Sequence, residues 1–288
     1  MSEAAAFLLA PFVMCLILAG IHCYLGLHVL ARGVIFVDLS LAQVAALGMS
    51  IGFLFGFGEH SLPVYLFSLF LTFIASGIFA LARMHESKFS QEAIIGIVFA
   101  LSSAAVVLVA DKVPHGMEHI KDLLAGQILW VTWDDVIRTA IIYLAVGIIH
   151  YVFREKLLAA SFNHKTKNVM VWDLLFYILF GVVITSSVSI AGVLLVFSYL
   201  IVPSLISTLF FTTVKRRLIF GWILGFVLSF ISIVISYKLD IPTGPFIVVC
   251  FASLPVLLLI IFSISRQKSH FSFRLFRNRK HLFYSFKN

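Results

Sequence analysis

The stretch FVDLSLAQVAALGMSIGFLFG, residues 36–56, decides how the rest of the chain is read. It is apolar enough and long enough to cross a bilayer as a helix. Near its start it carries Asp38, Ser40 and Gln43, and Gly48, Gly52 and Gly56 follow at four-residue intervals. At about 100° per residue, Ser40, Gln43 and Ser50 fall on one side of such a helix. The glycines fall roughly opposite, with Ala45 near them. Small residues at this spacing admit a neighbouring helix at close range. Polar side chains within a span avoid lipid. A helix occupied on both sides belongs at the centre of a bundle. Two readings are open: a packing helix whose Ser40 and Gln43 bond to a neighbour, or a helix lining a translocation path. Asp38 lies nearer the glycine side, where a first-turn carboxylate also caps a helix.

Composition sets the class. Of 288 residues, 61% are hydrophobic and 12% charged. A soluble domain of that size cannot hide so much apolar surface, so the fold class is an all-α polytopic membrane protein. No polar block reaches domain length. Residues 1–265 form one transmembrane domain and residues 266–288 a basic, aromatic tail. Cys15, Cys23 and Cys250 all lie in apolar spans without paired spacing, which supports neither a disulfide framework nor a thiolate metal site. The long apolar N-terminal run has no basic flank and reads as a retained span.

Nine spans are expected, at residues 4–30, 36–57, 62–83, 93–110, 133–153, 169–187, 190–211, 218–237 and 245–265. A small-polar junction, TSSVSIAG, divides the sixth from the seventh, and Pro203 predicts a kink or break inside the seventh. Lys and Arg fall unevenly about these spans. One side takes Arg32, Arg83, Lys88, Arg154, Lys156, Lys165, Lys167, Lys215, Arg216, Arg217 and the basic residues of the tail. The other takes Lys112, Lys121, Arg138 and Lys238. The asymmetry puts the richer side in the cytoplasm, the N-terminus outside and the C-terminus inside. The net charge of +8 then marks membrane orientation and a tail lying against anionic lipid, rather than nucleic-acid binding.

Several ionisable residues are candidates for chemistry. His22 lies deep in the first span, as a cation contact or as a neutral imidazole bonded to a neighbouring helix. His115 and His119 stand four apart in the polar connection 111–132, with Glu118 and Asp122 at the same spacing. One helical face could offer both imidazoles to a metal, or the segment is a solvated surface helix. Glu92 suits the positive end of a helix dipole. There is no GxxxxGK[ST] loop, HExxH or GxSxG, and no carboxylate pair deep in a span. The chain is therefore expected to be neither a nucleotide hydrolase nor another enzyme. An ion-gradient-coupled carrier for a metal or small solute is an alternative. Such a carrier usually needs an ionisable group near the midplane, and His22 is the one candidate. A membrane scaffold is a third reading.

Three segments together resemble one family. They are ARGVIFVDLSLAQVAALG (31–48), EAIIGIVFA (92–100) with DLLAGQIL (122–129), and SIAGVLLVFSYLIVPSLIST (189–208) followed by SYKLDIPTGPFIVV (236–249). The chain resembles, over roughly residues 8–263, the membrane subunits of ATP-binding-cassette importers for zinc, manganese or iron. The resemblance implies a homodimeric permease of the inner membrane, two cytoplasmic ATPase subunits and an extracytoplasmic metal-binding protein. It implies no resident cofactor, the divalent metal ion being cargo. Many relatives carry an Asp and, four residues on, a His in the central helix. Here Gln43 stands at the His position and Leu39 at the Asp position, with Asp38 displaced by one. Asp38, Ser40, Gln43, His22, His115, His119 and Asp240 are the expected metal contacts. The loop 154–168, basic and helix-compatible through Ser161, corresponds to the family's ATPase-docking loop, with Ala159, Ala160 and Ser161 as expected coupling residues.

Overall fold

The computed structural model describes residues 3–58, 61–85, 89–162 and 168–268, and every regular element among them is helical. The chain runs α1 (Glu3–Arg32), α2 (Val37–Leu54), α3 (Leu62–Met84), α4 (Gln91–Ala110), α5 (Gly116–Ala125), α6 (Trp133–Val152), α7 (Arg154–Phe162), α8 (Val169–Phe210), α9 (Val214–Leu239) and α10 (Thr243–Lys268). A short 3-10 turn, Ile128–Trp130, precedes α6. All but α5 and α7 are long and apolar enough to span a membrane, giving eight candidate spans among the described residues. From residue 269 onward the expected tail lies outside the described residues.

The longest helix accounts for the difference between eight and the nine spans expected. At about 1.5 Å per residue, the 42 residues of α8 would reach roughly 60 Å, twice the thickness of the hydrocarbon layer. The helix is folded at Gly192, whose φ of 75° and ψ of 162° are not helical. Contacts with α1 show that the two legs run in opposite directions. Asp173, Phe176 and Ser187 of the first leg meet Arg32, His28 and His22, in descending order along α1. Tyr199 and Ser204 of the second leg meet Cys15 and Cys23, in ascending order. The legs therefore correspond to the sixth and seventh expected spans. The break falls at the end of the TSSVSIAG junction, whereas Pro203 stays within the helix.

Turns follow local rules. α2 ends in a Schellman motif: the Phe57 amide donates to Gly52 O and the Gly56 amide to Phe53 O, with Gly56 at φ +82°. Gly56 thus shares the four-residue spacing of Gly48 and Gly52 but serves as a helix stop. α6 begins with a capping box between Thr132 and Asp135. Pro63 sits in the first turn of α3.

The loops expected on opposite sides of the membrane gather at opposite ends of the bundle. At the basic end, Arg32, Arg83, Asp173, Ala160 and Ser161 interact. At the far end, the Gln127 amide donates to Ile190 O. There Gly126, Gly192 and Gly244 bring three backbones so close that a Cβ on any of them would strike a neighbouring main chain.

α2 lies at the centre, packed against α3, α4 and α8, with 72% of its span buried within the chain. Its glycines face α3. A Cβ on Gly48 would collide with the Ser68 backbone, and one on Gly52 would come within 2.8 Å of Val64 Cγ2. Ser68 reinforces the contact by donating to Ala45 O at 2.9 Å. Gly48→Leu should therefore destabilise the fold by about 1–3 kcal/mol, the usual range for overpacking. Gly52→Leu should lose less, because the Val64 side chain can rotate away and the Ser68 backbone cannot. Thermal midpoints of the two purified variants in detergent check this order.

Candidate functional site

The polar residues of α2 are enclosed. Asp38 is 1% exposed and Ser40 fully buried, and neither Asp38 oxygen nor Ser40 Oγ has a hydrogen-bond partner. The Asp38 carboxylate sits in the first turn of α2 without a capping bond. Its nearest support is the adjacent amides of Asp38 and Leu39, outside good bonding geometry. Glu92, in the first turn of α4, lies beside the Phe36 amide at the start of α2, and its Oε2 is also without a partner. Gln43 and Ser50 are buried further along. Buried polar atoms are normally satisfied, so unpaired oxygens on one central helix mark the strongest candidate region in the chain.

His22 has a different environment. Its Nδ1 lies 2.8 Å from Leu18 O and its Nε2 lies 3.0 Å from Ser187 Oγ. A carbonyl only accepts, so Nδ1 carries the proton, while Nε2 lies against a serine hydroxyl whose single proton also has Val183 O within 2.6 Å. Ser187 also bonds to the Tyr143 hydroxyl, which joins α1, α6 and α8. Both imidazole nitrogens lie within hydrogen-bond distance of groups in this network.

At the far end the two expected histidines separate. His115 is the residue before α5, with a left-handed φ of 56°. It pairs with Glu118 at 3.2 Å, both side chains largely in solvent. His119 lies in α5 and packs on Phe53 at the end of α2, with ring centroids 4.8 Å apart. His119, Asp122 and Gln127 line a cavity of about 90 Å³ with Met49, Phe53, Leu123 and Ser189. Asp240 caps α9 at an exposed turn with φ 53°. Among the described residues, no group of three or more His, Cys, Asp or Glu is gathered closely enough to hold a metal ion.

At the basic end, α7 takes the helical form expected for the start of the 154–168 loop; residues 163–167 lie outside the described residues. Its Leu157, Ala160 and Ser161 are buried, Ala159 is half-buried and Arg154, Glu155 and Lys156 are exposed. Ala160 and Ser161 face the interior of this chain. The Ala160 carbonyl accepts from Arg83 Nη2 at 2.8 Å, and Ser161 Oγ accepts from Arg32 Nε at 3.0 Å. Both arginines donate to Asp173 Oδ1 at 2.6 Å, and Arg32 lies over the Phe176 ring at 4.1 Å. Beside them, His28 and His150 are buried with ring centroids 6.0 Å apart.

By sequence, Arg32 and Arg83 are charges of the basic side, and nothing local singles out Asp173. The available signal was topological: in a nine-span arrangement all three fall at the same depth on the same side.

The model of the ABC 3 transport family matches residues 4–263. The "Probable metal transport system membrane protein" of Chlamydia trachomatis is 26% identical, over 78% of this chain and 78% of that protein. The "Chelated iron transport system membrane protein YfeC" of Yersinia pestis is 23% identical, over 81% of this chain and 78% of that one. In fold, the chain is similar to a chain of "PsaBC from Streptococcus pneumoniae in complex with Fab", with a TM-score of 0.72, 19% identity and coverage of 87% and 90%. With eight candidate spans, a folded long helix and a family match over nearly all its length, this chain is a multi-pass membrane protein that belongs to the ABC 3 transport family.

Proposed function

We propose that the chain is the permease of an ATP-driven importer for a divalent transition metal ion: zinc, manganese or iron. It works as a homodimer, with two ATPase subunits against the basic, cytoplasmic end and an extracytoplasmic metal-binding protein at the far end. The observation that carries the reading is α2, a buried central helix with unpaired Asp38 and Ser40 oxygens in a chain of this family. Metal-transport relatives support the cargo class.

The chemistry suits passage rather than storage. Carboxylate, amide, hydroxyl and imidazole groups all ligate Zn²⁺, Mn²⁺ or Fe²⁺. Conduction requires contacts weak enough to release the ion. The far-end cavity offers His119 and Asp122 beside Met49 and Phe53 of α2, and Gln43, Ser40 and Asp38 follow toward the other end of that helix. His22, engaged on both nitrogens, is left out of the path; His115 and Asp240 lie outside the cavity lining.

The test is uptake of competing metals into vesicles holding the permease, its ATPase and its binding protein. Uptake that proceeds without ATP would overturn the reading in favour of a gradient-coupled carrier. Gln43→Leu should retain the wild-type folded yield and lower uptake per folded molecule by about tenfold, as for the loss of about 1.4 kcal/mol of cargo stabilisation. Asp38→Asn should raise the thermal midpoint, because a buried carboxyl group without a partner costs about 1–3 kcal/mol and the amide carries no charge there, while uptake falls. Equal uptake in that variant would remove Asp38 from the path. His119→Ala with Asp122→Ala should weaken uptake several-fold at low metal and restore it at high metal. Unchanged uptake at every concentration would leave α5 as a solvated helix.

A further inference from the structure

Asp173 is the anion of a buried cluster that ties together α1, α3, α7 and α8. Its Oδ1 accepts from Arg32 and Arg83, and the three side chains are 2%, 0% and 6% exposed, in that order. The same arginines hold the inner face of α7, through Ser161 Oγ and the Ala160 carbonyl. We propose that this cluster is the mechanical link between α7 and the central helix α2, with Asp173 as its hub. The inference rests on the reading of α7 as the helix against which the ATPase works.

Connectivity gives the link its direction. Arg32 is the last residue of α1, and four residues separate it from the start of α2. Arg83 lies in the last turn of α3, the helix onto which Gly48 and Gly52 close. Displacing α7 therefore pulls on the segment that leads into α2 and on the helix packed along it. The outward side of α7 presents Arg154, Glu155 and Lys156, which leaves its contact with the bundle to the buried side.

The ionic chemistry explains why such a link transmits. Apolar side chains slide past one another with little directional resistance. Opposite charges buried at 2.6 Å resist separation steeply, because little solvent screens them. The cluster therefore moves as a unit. Within it, Arg32 Nη2 has no hydrogen-bond partner. A cluster that exchanges partners as α1 shifts has use for a spare donor.

Arg32, Arg83 and Asp173 are positioning residues, and the measurement is metal carried per ATP hydrolysed in the complete complex in vesicles. Asp173→Asn keeps the shape and removes the charge; Ser161→Ala removes one hydroxyl of α7 and leaves the ion cluster whole. The ratio should fall about tenfold in Asp173→Asn, the equivalent of one charge-assisted hydrogen bond. It should fall about tenfold in Ser161→Ala, which loses the hydroxyl's bonds to the Arg32 guanidinium and to His28 Nδ1, while ATPase subunits still co-purify. A purely structural cluster would lower folded yield and leave the ratio per folded complex at the wild-type value in both variants, which overturns the link. Should Asp173→Asn fail to assemble, Ser161→Ala decides: a lowered ratio supports the link and a wild-type ratio overturns it. ATP-independent uptake by the wild-type complex would instead overturn the importer reading itself.

Discussion

An unpaired carboxylate cannot face hydrocarbon, and much of the bundle is arranged to keep Asp38 and its helix away from it. α2 has α3, α4 and α8 around it, and each closes in by a different device. α3 approaches because Gly48 and Gly52 present no side chain. α4 brings Glu92 to the Phe36 amide at the start of α2. α8 reaches the helix and returns to the basic end because Gly192 adopts a conformation that other residues rarely take. The enclosed oxygens of Asp38 and Ser40 remain without partners even so. A core built for stability alone would have satisfied or removed them, which makes their retention an argument for function.

Much of this was legible in the sequence, because the signals were local. Span positions follow from runs of apolar residues, since the bilayer fixes the length a helix needs. The glycine side of residues 36–56 predicted the approach of α3, and the basic loop 154–168 predicted a helix where α7 begins. Local pattern also misled in one place. Gly56 keeps the spacing of Gly48 and Gly52, yet it lies beyond Leu54, where the helix ends and a positive φ is needed. Periodicity alone does not say where a helix stops; the Schellman bonds do.

What the sequence hid was tertiary pairing. Arg32 and Asp173 are 141 residues apart, and Arg83 and Asp173 are 90 apart. No local pattern marks them as partners. His22 is the one deep ionisable group by span position, but burial also takes in His28 and His150, which fall near the ends of the expected spans 4–30 and 133–153. The inward aim of Ala160 and Ser161 depends on two arginines contributed by α1 and α3. A reading that placed charges by depth as well as by side would have seen two guanidiniums and one carboxylate at a common level. Burial makes such a set costly unless its members meet.

The two ends of the bundle are held by different physics, and the difference bears on how α2 can move. At the basic end, charged groups with fixed partners join four helices. Separating opposite charges in a buried site costs far more than in water, so these helix ends shift together or not at all. At the far end, Gly126, Gly192 and Gly244 meet backbone to backbone, with the Gln127–Ile190 hydrogen bond beside them. Such contacts are close but lack interlocking side chains, and dispersion between a few atoms is small. α2 lies among neighbours joined by charge at one end and by bare backbone contacts at the other, which leaves the second the freer end. The cavity lined by His119, Asp122 and Gln127 opens there, against the final turns of α2. On the proposed coupling, displacement received at the basic end would reach the walls of that cavity along the central helix.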